Sequence, residues 1–396
     1  MSANHDGKPF DVAVYGASGY TGRLVAEYLS QRQAADSGIS FAMAGRNLDK
    51  LAAVREEIGA PADTPLVEAD AEDAESLASL CSRSKVVLTT VGPYQLYGSD
   101  LVRICAETGT DYVDLCGEPA WMRLMIDAHE ATARKSGARI LFSCGFDSIP
   151  FDLGVLFLQQ HARDRFGEPL SDVETVVRKM KGTFSGGTAA SLKATMAAAF
   201  KDPTILEHLK NPFALAPGFS GAKQPSGSKP MHHDGLGVWL APFVMAPINT
   251  KNVHRTNFLL DAAYGKGFTY REMLMTGPGE KGEAAARALA SDTSLMSDDG
   301  PKPGEGPTRE EREAGHYEAL IIGRNDSGKE LRISVSGDRD PGYGSTSKMI
   351  AEAALTLVHE RADAGGGIWT PGAALGEALI DRLTRHAGLS FALVDS

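Results

Sequence analysis

The stretch FDVAVYGASGYTGRLVAEYLSQ constrains the fold more than any other. An apolar run, Phe10–Tyr15, ends on Gly16. After Gly22 the apolar residues Leu24, Val25, Tyr28 and Leu29 share one helical face. Strand, glycine-spaced turn and helix in that order open a doubly wound parallel sheet. The alternation continues for about 150 residues. Strand-like runs at 40–44, 65–69, 85–91, 111–115 and 139–143 are separated by helical patterns at 48–58, 74–81, 100–108 and 120–136. This rhythm predicts a parallel sheet with helices on both faces.

After about residue 150 the rhythm changes. Residues 151–161 and 188–200 read as helices, and 172–181 as an alternating strand. Residues 253–260, 317–323 and 330–336 read as antiparallel strands, the last two around a turn at 325–328. The stretch 211–237 is loop-like. The polar, Gly/Pro-rich stretch 277–315 reads as a mobile excursion with one helix at 282–291. Two further helices are expected at 345–361 and 374–387.

The formal charge of −11 comes with no basic stripe, which excludes a nucleic-acid surface. An anionic ligand therefore needs local donors. Cys81, Cys105, Cys116 and Cys144 form no CxxC or zinc spacing, so no metal site is assigned, and reduced thiols in a cytoplasmic protein are expected. The polar first residues lack a signal-peptide core, and no run reaches the roughly 18 apolar residues a bilayer span needs.

Between its strand and its helix, GASGYTG has the context of a dinucleotide fingerprint, spaced GxxGxxG. Gly16 permits the tight turn. Gly19 lets a pyrophosphate approach bare backbone, and Gly22 lets the helix pack close to the strand. The N-terminus of the following helix, read at 23–32, offers free N–H groups; Ser18 and Thr21 add hydroxyls, and Tyr20 belongs to the same cofactor-binding turn. The second strand ends in AGRN, with Arg46 and Asn47 where NAD-selective folds carry a carboxylate. A guanidinium there suits a 2′-phosphate, which favours NADP(H) over NAD(H); the alternative is a solvated surface arginine. Asp70 ends the third strand, placed to reach adenine or to cap a helix. Gly92 and Pro93 stiffen the turn after the fourth strand, beside the nicotinamide ribose. Tyr94 and Tyr97 follow, as ring walls, proton donors or plain packing.

GASGYTG, AGR, VGPYQLYG, DYVDLCGE, CGFDSIPFDLG, SGGT and GYGSTSKM together resemble the saccharopine dehydrogenase-like oxidoreductases, most closely their mycobacterial trans-acting enoyl reductase branch. The motifs run in order over nearly the whole chain. The resemblance implies a Rossmann domain at 1–150, completed by 343–396 as C-terminal helices return to it. It also implies an α+β substrate and dimerisation domain at 151–342 with an antiparallel sheet. It further implies reduction of a double bond in a lipid or polyketide-derived chain carried by a synthase. Contact with that synthase or a membrane edge, and a homodimer, are left open. The apolar segment 238–248 (VWLAPFVMAPI) is either a groove for such a chain or core packing.

Reducing an enoyl bond also requires a proton for the second carbon. None of the ten tyrosines has a lysine four residues on, which removes the Tyr-x-x-x-Lys mechanism. The candidates lie at strand ends: Tyr94, Asp147 and Cys144, with Asp114, Cys116 and Glu118 nearby. Asp147 alternatively caps a helix, and the cysteines alternatively serve as inert core residues. SGGT at 185–188 offers either an anion site or a cap at Thr188. GYGSTSK brings Lys348 toward the cofactor unless Ser345 or Ser347 is merely a cap. Two other readings remain: a saccharopine-type dehydrogenase reducing an imine, whose arginine grips would be Arg178 and Arg255, and a non-catalytic NAD(P)-binding interaction protein.

Overall fold

The structure is a computed structural model describing residues 7–182, 186–294, 305–360 and 364–394. Six short strands alternate with helices in the first part. The strands are β1 (Phe10–Tyr15), β2 (Phe41–Gly45), β3 (Leu66–Glu68), β4 (Ser84–Thr89), β5 (Asp111–Val113) and β6 (Arg139–Leu141). The helices are α1 (Tyr20–Ala35), α2 (Leu48–Glu57), α3 (Ala74–Arg83), α4 (Tyr94–Tyr97), α5 (Ser99–Thr108) and α6 (Pro119–Ser136). The strands are almost wholly buried, as a sheet covered on both faces requires. Helix α7 (Ile149–Phe166) leads to the second sheet.

That sheet comprises β7 (Asp172–Lys181), β8 (Met231–His233), β9 (Val238–Pro242), β10 (Thr269–Gly277), β11 (His316–Arg324) and β12 (Glu330–Gly337). Around it lie α8 (Gly186–Lys201), α9 (Pro203–Lys210), α10 (Ala246–Leu259), α11 (Gly279–Ala290) and α12 (Arg309–Glu313). Helix α13 (Thr346–His359) returns to the first sheet, whose edge is completed by β13 (Gly367–Trp369). The last strand, β14 (Leu389–Leu393), pairs with β12 in the second sheet. It therefore parts from the first unit, with which the sequence reading groups 343–396.

The first sheet is parallel, in the order β13-β6-β5-β4-β1-β2-β3. The chain order reverses between β1 and β4, so a crevice opens where their carboxyl ends diverge. The second sheet runs β14-β12-β11-β7-β10-β9-β8. It is mixed rather than antiparallel, because β10 lies parallel to β7. The turn between β11 and β12 closes with the Gly328 amide donating to Asn325 O at 3.0 Å.

Helix α13 is bolted to α1 through a buried carboxylate. Glu352 accepts from Arg32 Nε at 2.8 Å, from the Tyr28 hydroxyl at 2.7 Å and from Arg382 Nε at 2.9 Å. Three positive or donating partners offset the cost of burying that charge.

One expectation fails here, and one alternative is decided. Residues 253–260 are helical, not a strand: Pro247 starts α10, and the helix is buried along polar and apolar faces alike, which hides its 3.6-residue period. Of the two readings of residues 238–248, core packing is the one the burial supports. These residues supply β9 and the start of α10, and bury Leu240, Ala241, Phe243, Met245 and Ile248, leaving Val244 exposed.

Candidate active site

The glycine turn is held open by contacts that leave no room for side chains. Gly16 sits at φ +92°, and a Cβ there would lie 2.8 Å from Thr90 Oγ1 and from Val91 Cγ2. A Cβ on Gly22 would lie 2.1 Å from the Gly16 carbonyl oxygen. The ends of β1 and β4 and the first turn of α1 are thus pressed together at the crevice. The Gly19 amide donates to Gly16 O at 2.9 Å, and Gly19 and Ser18 are exposed. No side chain caps α1, and its first turn carries no acid. Tyr20, Thr21 and Gly22 therefore begin a helix whose free N–H groups and positive dipole end suit a pyrophosphate.

Arg46 follows β2, exposed and without an ion-pair partner among the described residues. That freedom fits a 2′-phosphate ligand. Asn47 caps α2, its Oδ1 accepting the Lys50 amide at 2.8 Å. Asp70 closes a turn by accepting the Glu72 amide at 3.1 Å, while Asp73 caps α3.

Beyond β4, Gly92 is exposed and Pro93 half-buried at the crevice, but Tyr94 turns inward. Its hydroxyl donates to Thr89 O at 3.3 Å and accepts the Leu115 amide at 3.1 Å. Burial, then the nearby Asp114, pushes the phenol well above its ordinary value. This geometry makes Tyr94 a brace between β4 and the end of β5. Glu118 organises the same turn. Its carboxylate accepts the Tyr94 and Gln95 amides at 2.9 Å each and the Ser191 hydroxyl at 2.7 Å. Gln95 Nε2 also donates to Thr195 Oγ1 at 3.1 Å, so α8 is docked onto α4. Of the SGGT stretch, Ser185 and the side chain of Thr188 lie outside the described residues.

Asp114 joins β5 to β6, accepting the Cys116 and Ser143 amides and the Tyr112 hydroxyl at 2.9 Å each. Cys144 is completely buried, its thiol directed at Leu141 O and Phe142 O, and burial pushes that thiol well up. So enclosed, the sulfur packs as a small core residue, the alternative reading of the cysteines.

Asp147 differs. It lies in the short loop between β6 and α7, half-buried, and its carboxyl makes no hydrogen bond or ion pair among the described residues. It does not cap α7; the cap position is Ser148. Burial alone raises its pKa to about 7. Ser148 Oγ in turn accepts from Asn252 Nδ2 at 2.8 Å. Glu272, from β10 of the second sheet, is buried; it accepts Asn249 Nδ2 and the Tyr270 hydroxyl at 2.9 Å each. Burial, with a further push from Asp147, raises Glu272 to about 8. The seam between the sheets therefore holds two carboxyls whose pKa values burial raises to neutrality or just above it.

Sequence reasoning missed Glu272, Asn249 and Asn252. The available signal was the i, i+3 pair of asparagines in INTKN, on a helix started by proline. Near α13, Thr346 Oγ1 accepts the Phe146 amide at 3.0 Å, and Asp340 accepts the Tyr343 and Gly344 amides. Neither Ser345 nor Ser347 caps that helix, and burial lowers the half-buried Lys348.

Residues 12–141 match the family model of the saccharopine dehydrogenase NADP binding domain. The Mycobacterium tuberculosis (strain H37Rv) protein Rv2449c is 40% identical over 412 aligned positions, covering 97% of each chain. The trans-acting enoyl reductase of Mycobacterium ulcerans is 36% identical, covering 95% of this chain and 96% of that one. Among solved structures, apo saccharopine dehydrogenase (L-Glu forming) from Saccharomyces cerevisiae shares the fold. Its TM-score is 0.55 at 13% identity, covering 97% of this chain and 99% of that chain. A glycine turn too tight for side chains, an unpaired arginine after β2 and these full-length relatives agree: the chain belongs to the saccharopine dehydrogenase-like, NADP-dependent oxidoreductases, in the trans-acting enoyl reductase family.

Proposed function

We propose that this chain reduces a conjugated carbon–carbon double bond of a lipid or polyketide-derived intermediate, with Asp147 giving the proton. Bound NADPH supplies the hydride. The chain's own residues do the rest. The bare turn at Gly16–Gly22 and the N-terminus of α1 hold the pyrophosphate, and Arg46 meets the 2′-phosphate. Gly92 and Pro93 border the nicotinamide half. Asp147 protonates the carbon next to the carbonyl as hydride reaches the other, so the double bond is consumed and the carboxyl is left ionised until water reprotonates it.

The observation that carries this reading is the carboxyl of Asp147 in the loop after β6, unpartnered among the described residues and raised by burial to a pKa of about 7. The relatives are named as acting in trans, and we extend to this chain a substrate presented by a carrier. Contact with a synthase or membrane edge, a homodimer and a cytoplasmic location belong to the same proposal. No helix among the described residues is long and apolar enough to cross a membrane.

The imine-reducing alternative needs free arginines to grip carboxylates. Arg178 is paired with Glu318, and the buried Arg255 gives Nη1 and Nη2 to the carbonyls of Leu215 and Ile368, leaving its Nε without a partner among the described residues. Oxidation of NADPH followed at 340 nm with an α,β-unsaturated thioester tests the reading. Asp147→Asn is expected to lower kcat by roughly 100-fold or more while NADPH affinity holds. A variant that keeps the wild-type rate removes Asp147 from the reaction. Binding of NADPH with no turnover on enoyl, keto or imine acceptors returns the protein to a non-catalytic role.

A further inference from the structure

A strap from the second half of the chain lies across the first turn of α1. The Gly306 backbone rests on the Tyr20 ring so closely that a Cβ there would come within 2.5 Å of it. The Tyr20 hydroxyl donates to Pro307 O and accepts from Arg312 Nη1 at 2.7 Å; the same Nη1 donates to Pro307 O at 2.8 Å. Two turns along α1, Glu27 pairs with Arg309. Because residues 20 and 27 share a helical face, strap and helix are fastened at two points on one side. The Tyr343 ring meets Tyr20 edge-on at 4.7 Å from behind.

The charges around Tyr20 are unevenly settled. Arg23, 5.3 Å from the ring centroid, is paired with Glu57, and Arg309 has Glu27. Arg312, 5.8 Å from the same centroid, has no carboxylate at ion-pair distance among the described residues. Asp340 feels its charge but commits its oxygens to the Tyr343 and Gly344 amides. Among the described residues both side-chain hydrogen bonds of Arg312 leave from Nη1 toward neutral oxygens, so its Nε and Nη2 donors have no partner there. An arginine with spare donors is thus bonded to the side chain of Tyr20, the first residue of a helix whose N-terminus no side chain caps. A guanidinium carried on that residue adds positive charge to the end of the helix that already favours an anion.

We propose that Arg312 is a cofactor-binding residue, contributed by the 305–313 strap to the pyrophosphate of the dinucleotide. This rests on the nucleotide reading of the glycine turn. It also means that the cofactor site is completed by chain leading straight into β11 of the second sheet.

The test uses calorimetry on the full chain with two fragments. ADP-ribose carries the pyrophosphate without a 2′-phosphate; adenosine 2′-monophosphate carries the reverse. Arg312→Ala is expected to weaken ADP-ribose by roughly 10-fold, and Arg312→Lys to recover part of that, since the lost contact is charge-assisted. Adenosine 2′-monophosphate should bind the variants as it binds wild type. Wild-type affinity of Arg312→Ala for ADP-ribose, or a loss confined to the 2′-phosphate fragment, overturns the assignment. Should Arg312→Ala fail to fold, Tyr20→Phe removes the acceptor that orients the guanidinium. It is expected to weaken ADP-ribose by about 3-fold, and no change overturns the proposal. Failure of wild type to bind ADP-ribose is a different result: it removes the nucleotide reading itself.

Discussion

Glu118 holds the amide of Tyr94 at 2.9 Å, and with its second oxygen the amide of the next residue at the same distance. A buried carboxylate on the loop after β5 thereby shapes the turn after β4, where the nicotinamide half of the cofactor is expected. Glu118→Gln keeps the shape but turns one acceptor into a donor facing an amide. Loss of a charge-assisted pair of this kind is expected to cost about 1–3 kcal/mol. NADPH affinity should fall with it. Urea unfolding and a fluorescence titration check both; unchanged values for both would show that the turn holds its shape without the carboxylate.

Tyr94→Phe separates bracing from catalysis. The hydroxyl bridges Thr89 O and the Leu115 amide inside the protein, so its removal leaves a buried N–H unsatisfied. A stability loss of about 1–3 kcal/mol is expected, with kcat within about twofold of wild type. A collapse of kcat without loss of stability would return Tyr94 to the chemistry.

The first sheet was legible because its signals are local. A parallel strand buried on both faces reads as an apolar run, and each glycine turn or helix cap lies within a few residues of the strand it follows. The second sheet was less legible. Strand β10 (TYREMLMTG) pairs parallel to β7 across about a hundred residues, and no local pattern encodes that partnership. Helix α10 escaped because packing on nearly every side erased its amphipathic stripe. In the site, the glycines and Arg46 could be placed by spacing alone. Asp147 could be named but not told apart from Asp114 or Cys144. What distinguishes it is the lack of a hydrogen-bond or ion-pair partner among the described residues, a property of the folded chain. Glu272 lies 125 residues further on and reaches Asp147 only through the seam between the two sheets.

Arg46→Glu tests cofactor choice. The guanidinium is exposed and unpaired among the described residues, so the substitution breaks none of the bonds seen there and should leave stability within about 0.5 kcal/mol. Placing a carboxylate against a 2′-phosphate is expected to weaken NADPH by roughly 30-fold or more, while NADH changes by less than about threefold. Dissociation constants for both nucleotides decide it, and equal losses would show that Arg46 does not read the phosphate.

The carboxyls at the seam should make stability depend on pH in a direction opposite to that of ordinary salt-bridged acids. Glu272 is raised to about 8 from an unfolded value near 4.5, chiefly by burial. Between those values the unfolded chain has released a proton that the folded chain keeps. Stability therefore falls as pH rises through this window, with a slope of at most about 1.4 kcal/mol per pH unit from this group. His254, lowered to about 4 by burial, pulls the other way below its unfolded value of 6.5, so the raw profile mixes the two. Comparing wild type with Glu272→Gln cancels the histidine, because it titrates in both proteins. The variant cannot ionise at this position, so its stability relative to wild type should improve steadily from pH 5 to pH 8. Urea unfolding at unit steps across that range gives the difference directly. A difference that stays flat would show that Glu272 ionises as readily in the fold as in water, and that water reaches the seam beside Asp147.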